Sequence, residues 1–148
     1  MKNSLMAAGL GAAAFLAFAP EISLAQASSY TPGTVWYVTE VKTLPGQDEN
    51  YIDWLSANWK KIQELGKKEG LVVSYHVYRV NAQRRGEADL VLATEYKDYV
   101  TTAQQLAFQK KVEALMAGDA HKLDTQQGER KAMREVLSTT ELQELVLK

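Results

Sequence analysis

The sequence predicts an α+β domain with an antiparallel sheet, and three observations indicate this class. Stretches rich in β-branched and aromatic residues alternate with stretches whose apolar residues recur every three or four positions. Glycine and proline separate these stretches, as at Pro45-Gly46, Gly66 and Gly70. The chain has 148 residues, of which 46% are hydrophobic and 24% charged, a composition that fits one globular domain.

Residues 1–27 have the three parts of a secretory signal peptide. Lys2 supplies the positive charge, an uncharged run extends from Leu5 to Ala19, and Ala25-Gln26-Ala27 is a typical cleavage site. The run is too short to cross a bilayer, which takes about 20 helical residues. We therefore expect cleavage after Ala27 and a periplasmic or secreted mature chain without a membrane span. The alternative is an uncleaved membrane anchor.

Composition excludes several classes of function. The absence of cysteine excludes disulfide scaffolds, thiolate zinc sites, iron–sulfur sites and cysteine nucleophiles. The 17 basic and 18 acidic residues give a net charge of −1, which disfavours nucleic acid as a partner. His76 and His121 do not have the spacing of metal ligands. We expect neither a metal site nor a cofactor.

The mature chain is predicted to begin with a linker, residues 28–34, and to continue as one α+β domain over residues 35–148. Val35 to Thr43 is the first strand, because it is rich in β-branched and aromatic residues and ends at Pro45-Gly46. A helix follows from Asp48, with acidic residues in its first turn. Its apolar face consists of Ile52, Leu55, Trp59 and Ile62.

The second half of the domain repeats this order. Leu71 to Asn81 and Asp89 to Tyr96 are predicted strands that form a hairpin. A second helix is predicted over Thr101 to Ala117. The polar residues 119–131 give no clear prediction, and Ala132 to Leu147 is predicted as the last strand, with a helix over its second half as the alternative. The apolar face of the second helix consists of Phe108, Val112, Leu115 and Met116.

The predicted order of strand, helix, strand, strand, helix and strand is that of a ferredoxin-like fold, with the helices on one face of the sheet. The strands are nevertheless apolar on both faces, as in Val35 to Val38 and Leu90 to Ala93. Two helices can cover one face, so we expect a second copy of the chain to cover the other in a homodimer. The alternative is that connecting segments fold over that face.

The predicted domain resembles the dimeric α+β barrel superfamily, which includes the antibiotic-biosynthesis-monooxygenase-like domains. The resemblance rests on three motifs: Val35-Trp36-Tyr37-Val38-Thr39 before Pro45-Gly46, Glu95-Tyr96-Lys97-Asp98 after the third strand, and Arg134-Glu135-Val136-Leu137 near the end. It implies a dimer with a small-molecule pocket between sheet and helices. Because members include cofactor-independent oxygenases, haem-degrading enzymes and proteins without known activity, it implies no particular reaction.

His76 is the candidate general base, because the pKa of histidine lies near neutrality. It lies in the middle of the second strand, where alternation places it on one face with Val72, Ser74, Tyr78 and Val80. The alternative, which we favour, is a hydrogen-bonded histidine in the interior or at an interface.

Aromatic and basic residues are the candidates for ligand binding. Trp54 lies off the apolar face of the first helix, which indicates an interface or the mouth of a site. Arg79 and Arg134 place charges on predicted strands, where they could bind an acidic group. The alternative, which we favour, is an ion pair with Glu95 or Glu135. The candidate ligand-binding residues are Trp36, Trp54, Tyr78 and Arg134.

We therefore expect an exported homodimer that binds a small apolar or aromatic compound. The alternative is a cofactor-independent enzyme, similar to a monooxygenase or an isomerase, that acts on such a compound. In that case His76 would be the base, and Tyr78, Trp36 and Arg134 would orient the substrate.

Overall fold

The computed structural model describes residues 28–81 and 84–148, so the predicted signal peptide lies outside the described residues. Within these ranges the chain forms a four-stranded antiparallel sheet. The order of the strands across the sheet is β2-β3-β1-β4, which confirms the predicted ferredoxin-like fold. The strands are β1 (Tyr30–Thr43), β2 (Val72–Arg79), β3 (Leu90–Tyr96) and β4 (Arg134–Leu147).

The helices occur in the two crossovers, between β1 and β2 and between β3 and β4. In the second crossover, the side chains of Thr101 and Asp119 accept hydrogen bonds from the first-turn backbone N–H groups of Gln104 and Lys122 and so cap the two helices. None of the helices in the described ranges is long and apolar enough to span a bilayer. The helical elements are α1 (Asp48–Trp54), a π-helical segment (Leu55–Trp59), α2 (Lys60–Lys68), α3 (Thr102–Leu115), α4 (Ala120–Glu129) and a 3-10 turn (Arg130–Ala132).

The start of β1, residues 119–131 and the end of β4 are the parts of the fold where the structure corrects or completes the prediction. β1 begins at Tyr30 instead of Val35, because the residues assigned to the linker continue the strand and pair with the end of β4. The polar residues 119–131 contain α4 and the 3-10 turn. The end of the chain is a strand throughout, because β1 offers it a partner as far as Leu147, so the helical alternative is wrong.

The hydrophobic core lies between α1 and the sheet. Burial of Tyr51 and Leu55 against the strands supplies most of the helix stability, at roughly 1.5–3 kcal/mol for each large side chain. On α2 the buried residues are Gln63 and Gly66 rather than the predicted Ile62, because the π-helical segment shifts the later side chains around the axis. The core cluster consists of Val41, Tyr51, Leu55, Leu90 and Leu92.

The strand register separates the residues of the sheet into two faces. The helix-facing side carries Val35, Val41, Leu90 and Leu92. The other side, here called the open face, points away from the helices. Its residues are Trp36, Val38 and Glu40 on β1, Ser74, His76 and Tyr78 on β2, Val91, Ala93 and Glu95 on β3, and Ser138, Thr140 and Leu142 on β4.

A β-bulge corrects one detail of the predicted alternation. The pairing of β2 with β3 shifts between Val72 and Ser74, which places an extra residue in β2. Val72 is therefore buried on the helix-facing side, and the prediction that it shares a face with His76 is wrong. A Cβ at Gly66 of α2 would lie 2.6 Å from the Cγ2 atom of Val72, so glycine permits this close packing.

Candidate functional site

A cavity of about 280 Å³ lies on the helix-facing side beside α3 and is here called the α3 cavity. α3 has no buried residue, and Leu115, which was predicted on its apolar face, is 44% exposed. Part of the sheet beneath α3 is therefore left without a filled core. The lining residues of the cavity are Tyr37, Leu71, Tyr96, Val100, Gln105 and Phe108.

Two tyrosines form the wall of the cavity on the sheet side. The rings of Tyr37 and Tyr96 meet edge to face, with centroids 5.5 Å apart and planes at 76°. A hydrogen bond to the Glu141 carboxylate raises the pKa of Tyr37, and burial raises the pKa of Tyr96. Since the ordinary tyrosine pKa is already about 10, both phenols keep their protons at neutral pH. Neither phenol acts as a base. Tyr96 can donate a hydrogen bond to a ligand, whereas the Tyr37 O–H already donates to Glu141 and only its oxygen can accept a further hydrogen bond.

An ion pair ties α3 to the end of α2 next to this cavity. The Lys111 ammonium group of α3 bonds the Glu69 carboxylate. Both residues line a smaller cavity of about 200 Å³, which shares Leu71 and Phe108 with the α3 cavity. The polar groups therefore lie at the edges of an apolar centre, an arrangement typical of small-molecule sites.

Three of the predicted site residues come together on the open face. The rings of Trp36 and His76 are stacked with centroids 6.3 Å apart, and those of His76 and Tyr78 with centroids 5.6 Å apart. The three rings form a row across β1 and β2, here called the aromatic row. The sheet separates this row from the α3 cavity, so His76 is not placed to move a proton on a ligand bound there.

The other two predicted site residues lie together on the helix-facing side. Trp54 stacks on Tyr51 with the ring planes at 3° and the centroids 6.3 Å apart. The guanidinium carbon of Arg134 lies 5.4 Å from the centre of the Tyr51 ring. The candidate residues thus form two groups on opposite faces, and none of them lines the α3 cavity.

Arg79 and Arg134 do not form the ion pairs that the sequence favoured. Arg79 binds the Asp48 carboxylate with both terminal nitrogens, at 2.8 and 3.3 Å. The predicted partner Glu95 is wrong because it lies on the open face, where it accepts a hydrogen bond from Ser74. Arg134 stacks on Tyr51 and is not part of any ion pair in the described ranges, so a pair with Glu135 is also wrong.

Sequence reasoning did not select the residues that line the α3 cavity. Tyr37 and Tyr96 follow directly from strand alternation once Trp36 is assigned to the open face, since neighbouring residues of a strand point to opposite sides. Gln105 has no signal of this kind, because its position depends on how α3 lies on the sheet. Within residues 28–81 and 84–148, no cluster of three potential ligands could hold a metal ion.

Comparison with known proteins finds no matching family model and no matching curated protein. Three solved structures are similar in fold at low identity. HapK from Hahella chejuensis is 13% identical, with a TM-score of 0.48 over 75% of this chain and 92% of its own. PA3566 from Pseudomonas aeruginosa is 14% identical, with a TM-score of 0.44 over 78% and 96% of the two chains.

The third similar structure is a dimeric ferredoxin-like protein from an uncultured marine organism. It is 18% identical, with a TM-score of 0.44 over 80% of this chain and 98% of its own. The fold assignment rests on this chain's own strand order, which is that of a ferredoxin-like fold. The three similarities concern the fold and do not extend to a reaction.

Proposed function

We propose that this protein is an exported homodimer that binds a small apolar or aromatic molecule in the α3 cavity. The observation that carries the proposal is the cavity itself, which lies between the two tyrosine rings of the sheet and Phe108 of α3. An aromatic guest fits such walls, because offset and edge-to-face ring contacts add about 0.5–1.5 kcal/mol to area burial. The phenols and the Gln105 amide would then orient a polar group of the guest.

The packing of α3 supports a bound molecule as part of the folded domain. α1 and the π-helical segment after it bury Tyr51 and Leu55 in the core, whereas α3 only half-buries Phe108 and Val112. A ligand in the cavity would bury apolar surface on α3 and the sheet at once, at about 25 cal/mol for each Å² removed from water. Binding would therefore also fix the position of the helix.

The open face supports the homodimer. Its centre is apolar, with Val38, Val91 and Ala93 side by side on the two inner strands. Two carboxylates near the centre of this face, Glu40 and Glu95, already accept hydrogen bonds from Ser138 and Ser74, which lowers the cost of burying them. Two such faces can pack as sheets do in a sandwich, about 10 Å apart.

A binding role fits the cavity better than catalysis by the predicted base. His76 lies in the aromatic row on the opposite side of the sheet, and the tyrosines of the cavity keep their protons at neutral pH. In the proposed dimer, the aromatic row would pack against the second subunit and contribute to the interface.

A native mass spectrum of protein purified from the periplasm of its own host, without refolding, tests export, dimerisation and ligand together. We expect twice the mass of a chain that begins at Ser28, plus a smaller mass that is lost on collisional activation. A chain that retains residues 1–27 would contradict export, a monomer would contradict the dimer, and a dimer without extra mass would require the cavity test below.

The cavity is tested with N-phenyl-1-naphthylamine, a neutral aromatic probe whose fluorescence rises in apolar sites. Gln105→Trp places a large ring in the α3 cavity, and we expect it to weaken probe binding at least about tenfold, a loss equivalent to about 1.4 kcal/mol. Leu106→Trp is the matched control, because Leu106 is the next residue of the same helix and is 57% exposed. Equal affinity in both variants, or no saturable binding to the wild type, would contradict the proposed site.

A further inference from the structure

Two arginines are held on the helix-facing side of the sheet by aromatic rings. The guanidinium carbon of Arg130 lies 4.3 Å from the centre of the Trp54 ring, and that of Arg134 lies 5.4 Å from the centre of the Tyr51 ring. Trp54 and Tyr51 are themselves stacked and nearly parallel. Arg130 and Arg134, here called the arginine pair, therefore lie close together on an aromatic platform.

The arginine pair is not neutralised by an acidic side chain in the described part of the protein. The Nε atoms of both arginines are buried and have no hydrogen-bond partner. None of the ion pairs in the described ranges includes Arg130 or Arg134. Burial and the nearby charge of Arg134 lower the pKa of Arg130. Two partly desolvated like charges cost free energy unless an anion neutralises them.

A cavity of about 490 Å³ lies beside Arg134 and gives solutes access to this member of the pair. It is lined by Arg134 together with Lys131, which adds a third positive charge, and by the carboxylate-bearing Glu135. The rest of its lining consists of Leu44, Gln127 and Val136. The lining thus carries two positive side chains against one negative side chain, together with the apolar Leu44 and Val136.

We propose that Arg134 and Lys131, which line this cavity, bind the oxyanion group, a carboxylate or a phosphate, of a small molecule, with Arg130 adding positive charge beside Arg134. Arginine suits this role because its planar N–H donors match two oxygens of such a group at once. This site is separate from the α3 cavity. Arg134 lies opposite Thr43 in the pairing of β4 with β1. At 3.3 Å per residue, Thr43 lies about 20 Å along β1 from Tyr37, which lines the α3 cavity. The inference therefore does not depend on the proposed function.

The test is an isothermal titration of the purified wild type with sodium benzoate and, separately, with inorganic phosphate. Chloride holds the ionic strength constant, so that screening does not change. We expect saturable binding of at least one of the two anions. Arg134→Gln is expected to weaken this binding at least about tenfold, since a hydrogen bond to a charged group contributes more free energy than one between neutral groups. Arg130→Gln is the second variant.

Arg84→Gln is the matched control, because it removes the same charge from a side chain that is 92% exposed. Its affinity for the anion is expected to stay within about twofold of the wild type, as for other exposed charges. The thermal midpoint gives a second readout: the bound anion should raise it in the wild type and in Arg84→Gln, but not in Arg134→Gln. This would separate binding from a purely structural role of the arginine.

The benzoate and phosphate titrations also distinguish a carboxylate site from a phosphate site. Binding that is lost in Arg134→Gln and kept in Arg84→Gln would support the inference. The absence of saturable binding of both anions to the wild type would overturn it, whatever the stability of the variants. An equal loss in Arg84→Gln would overturn it as well, because the attraction would then come from net charge.

Discussion

Val91→Lys is expected to convert the homodimer into a folded monomer. Val91 lies on β3, an inner strand, at the centre of the open face next to Val38 and Ala93. In a two-fold dimer the substitution places two ammonium groups in the interface. Each would lie opposite Glu40 on β1, and taking such a charge out of water still costs several kcal/mol. We expect at least a roughly 100-fold weaker dimer, measured by sedimentation velocity, since every 1.4 kcal/mol is tenfold in affinity.

The control for this variant is the same substitution on the other face of the sheet. Val77 lies on β2, points to the helix-facing side and is 44% exposed, so a lysine there can reach water. Val77→Lys should therefore remain a dimer with the sedimentation coefficient of the wild type. If Val91→Lys sediments as a dimer of unchanged affinity, the open face is not the interface.

The sequence was most informative about the strands, because their signal is local. Val35 to Thr43 and Leu71 to Asn81 are dense in β-branched and aromatic residues, and the strand order followed from the sequence of elements. Residues before Val35 lack this density, yet Tyr30 to Pro32 still pair with the end of β4. A neighbouring strand can thus extend an element beyond the stretch that predicts it.

The helices show where a fixed period fails. A helical period of 3.6 residues predicts Ile62 on the buried face, but the π-helical segment Leu55–Trp59 moves Gln63 into that position. α4 contains no buried residue, so its apolar residues have only a weak period and did not predict a helix. Its start is nevertheless encoded locally, since Asp119 caps the first turn.

The candidate sites depended on tertiary packing, which residue type alone does not determine. Strand alternation correctly groups His76 and Tyr78 on one face of β2, but it does not say which face the helices cover. Arg134 was selected as a charge on a strand, whereas its surroundings come from Tyr51 of α1. An extra residue at the bulge of β2 likewise moved Val72 to the opposite face.

Leu92→Lys is expected to abolish the fold, although Leu92 is the direct neighbour of Val91. Leu92 is 8% exposed and belongs to the core cluster beneath α1, where an ammonium group has neither water nor an acidic partner within the cluster. We expect a loss above about 4 kcal/mol in the free energy of unfolding, a large part of the roughly 5–15 kcal/mol of a typical domain. Chemical denaturation followed by circular dichroism measures it.

Leu92→Met is the control, because a swap of similar volume in a core costs less than about 1.5 kcal/mol. The two lysine variants together test which face of the sheet is covered by helices, since Val91 and Leu92 differ in little except the direction of their side chains. If Leu92→Lys gave the folded monomer and Val91→Lys the unfolded chain, the assignment of the faces would have to be reversed. A Leu92→Lys protein as stable as the wild type would show that this cluster is not the core.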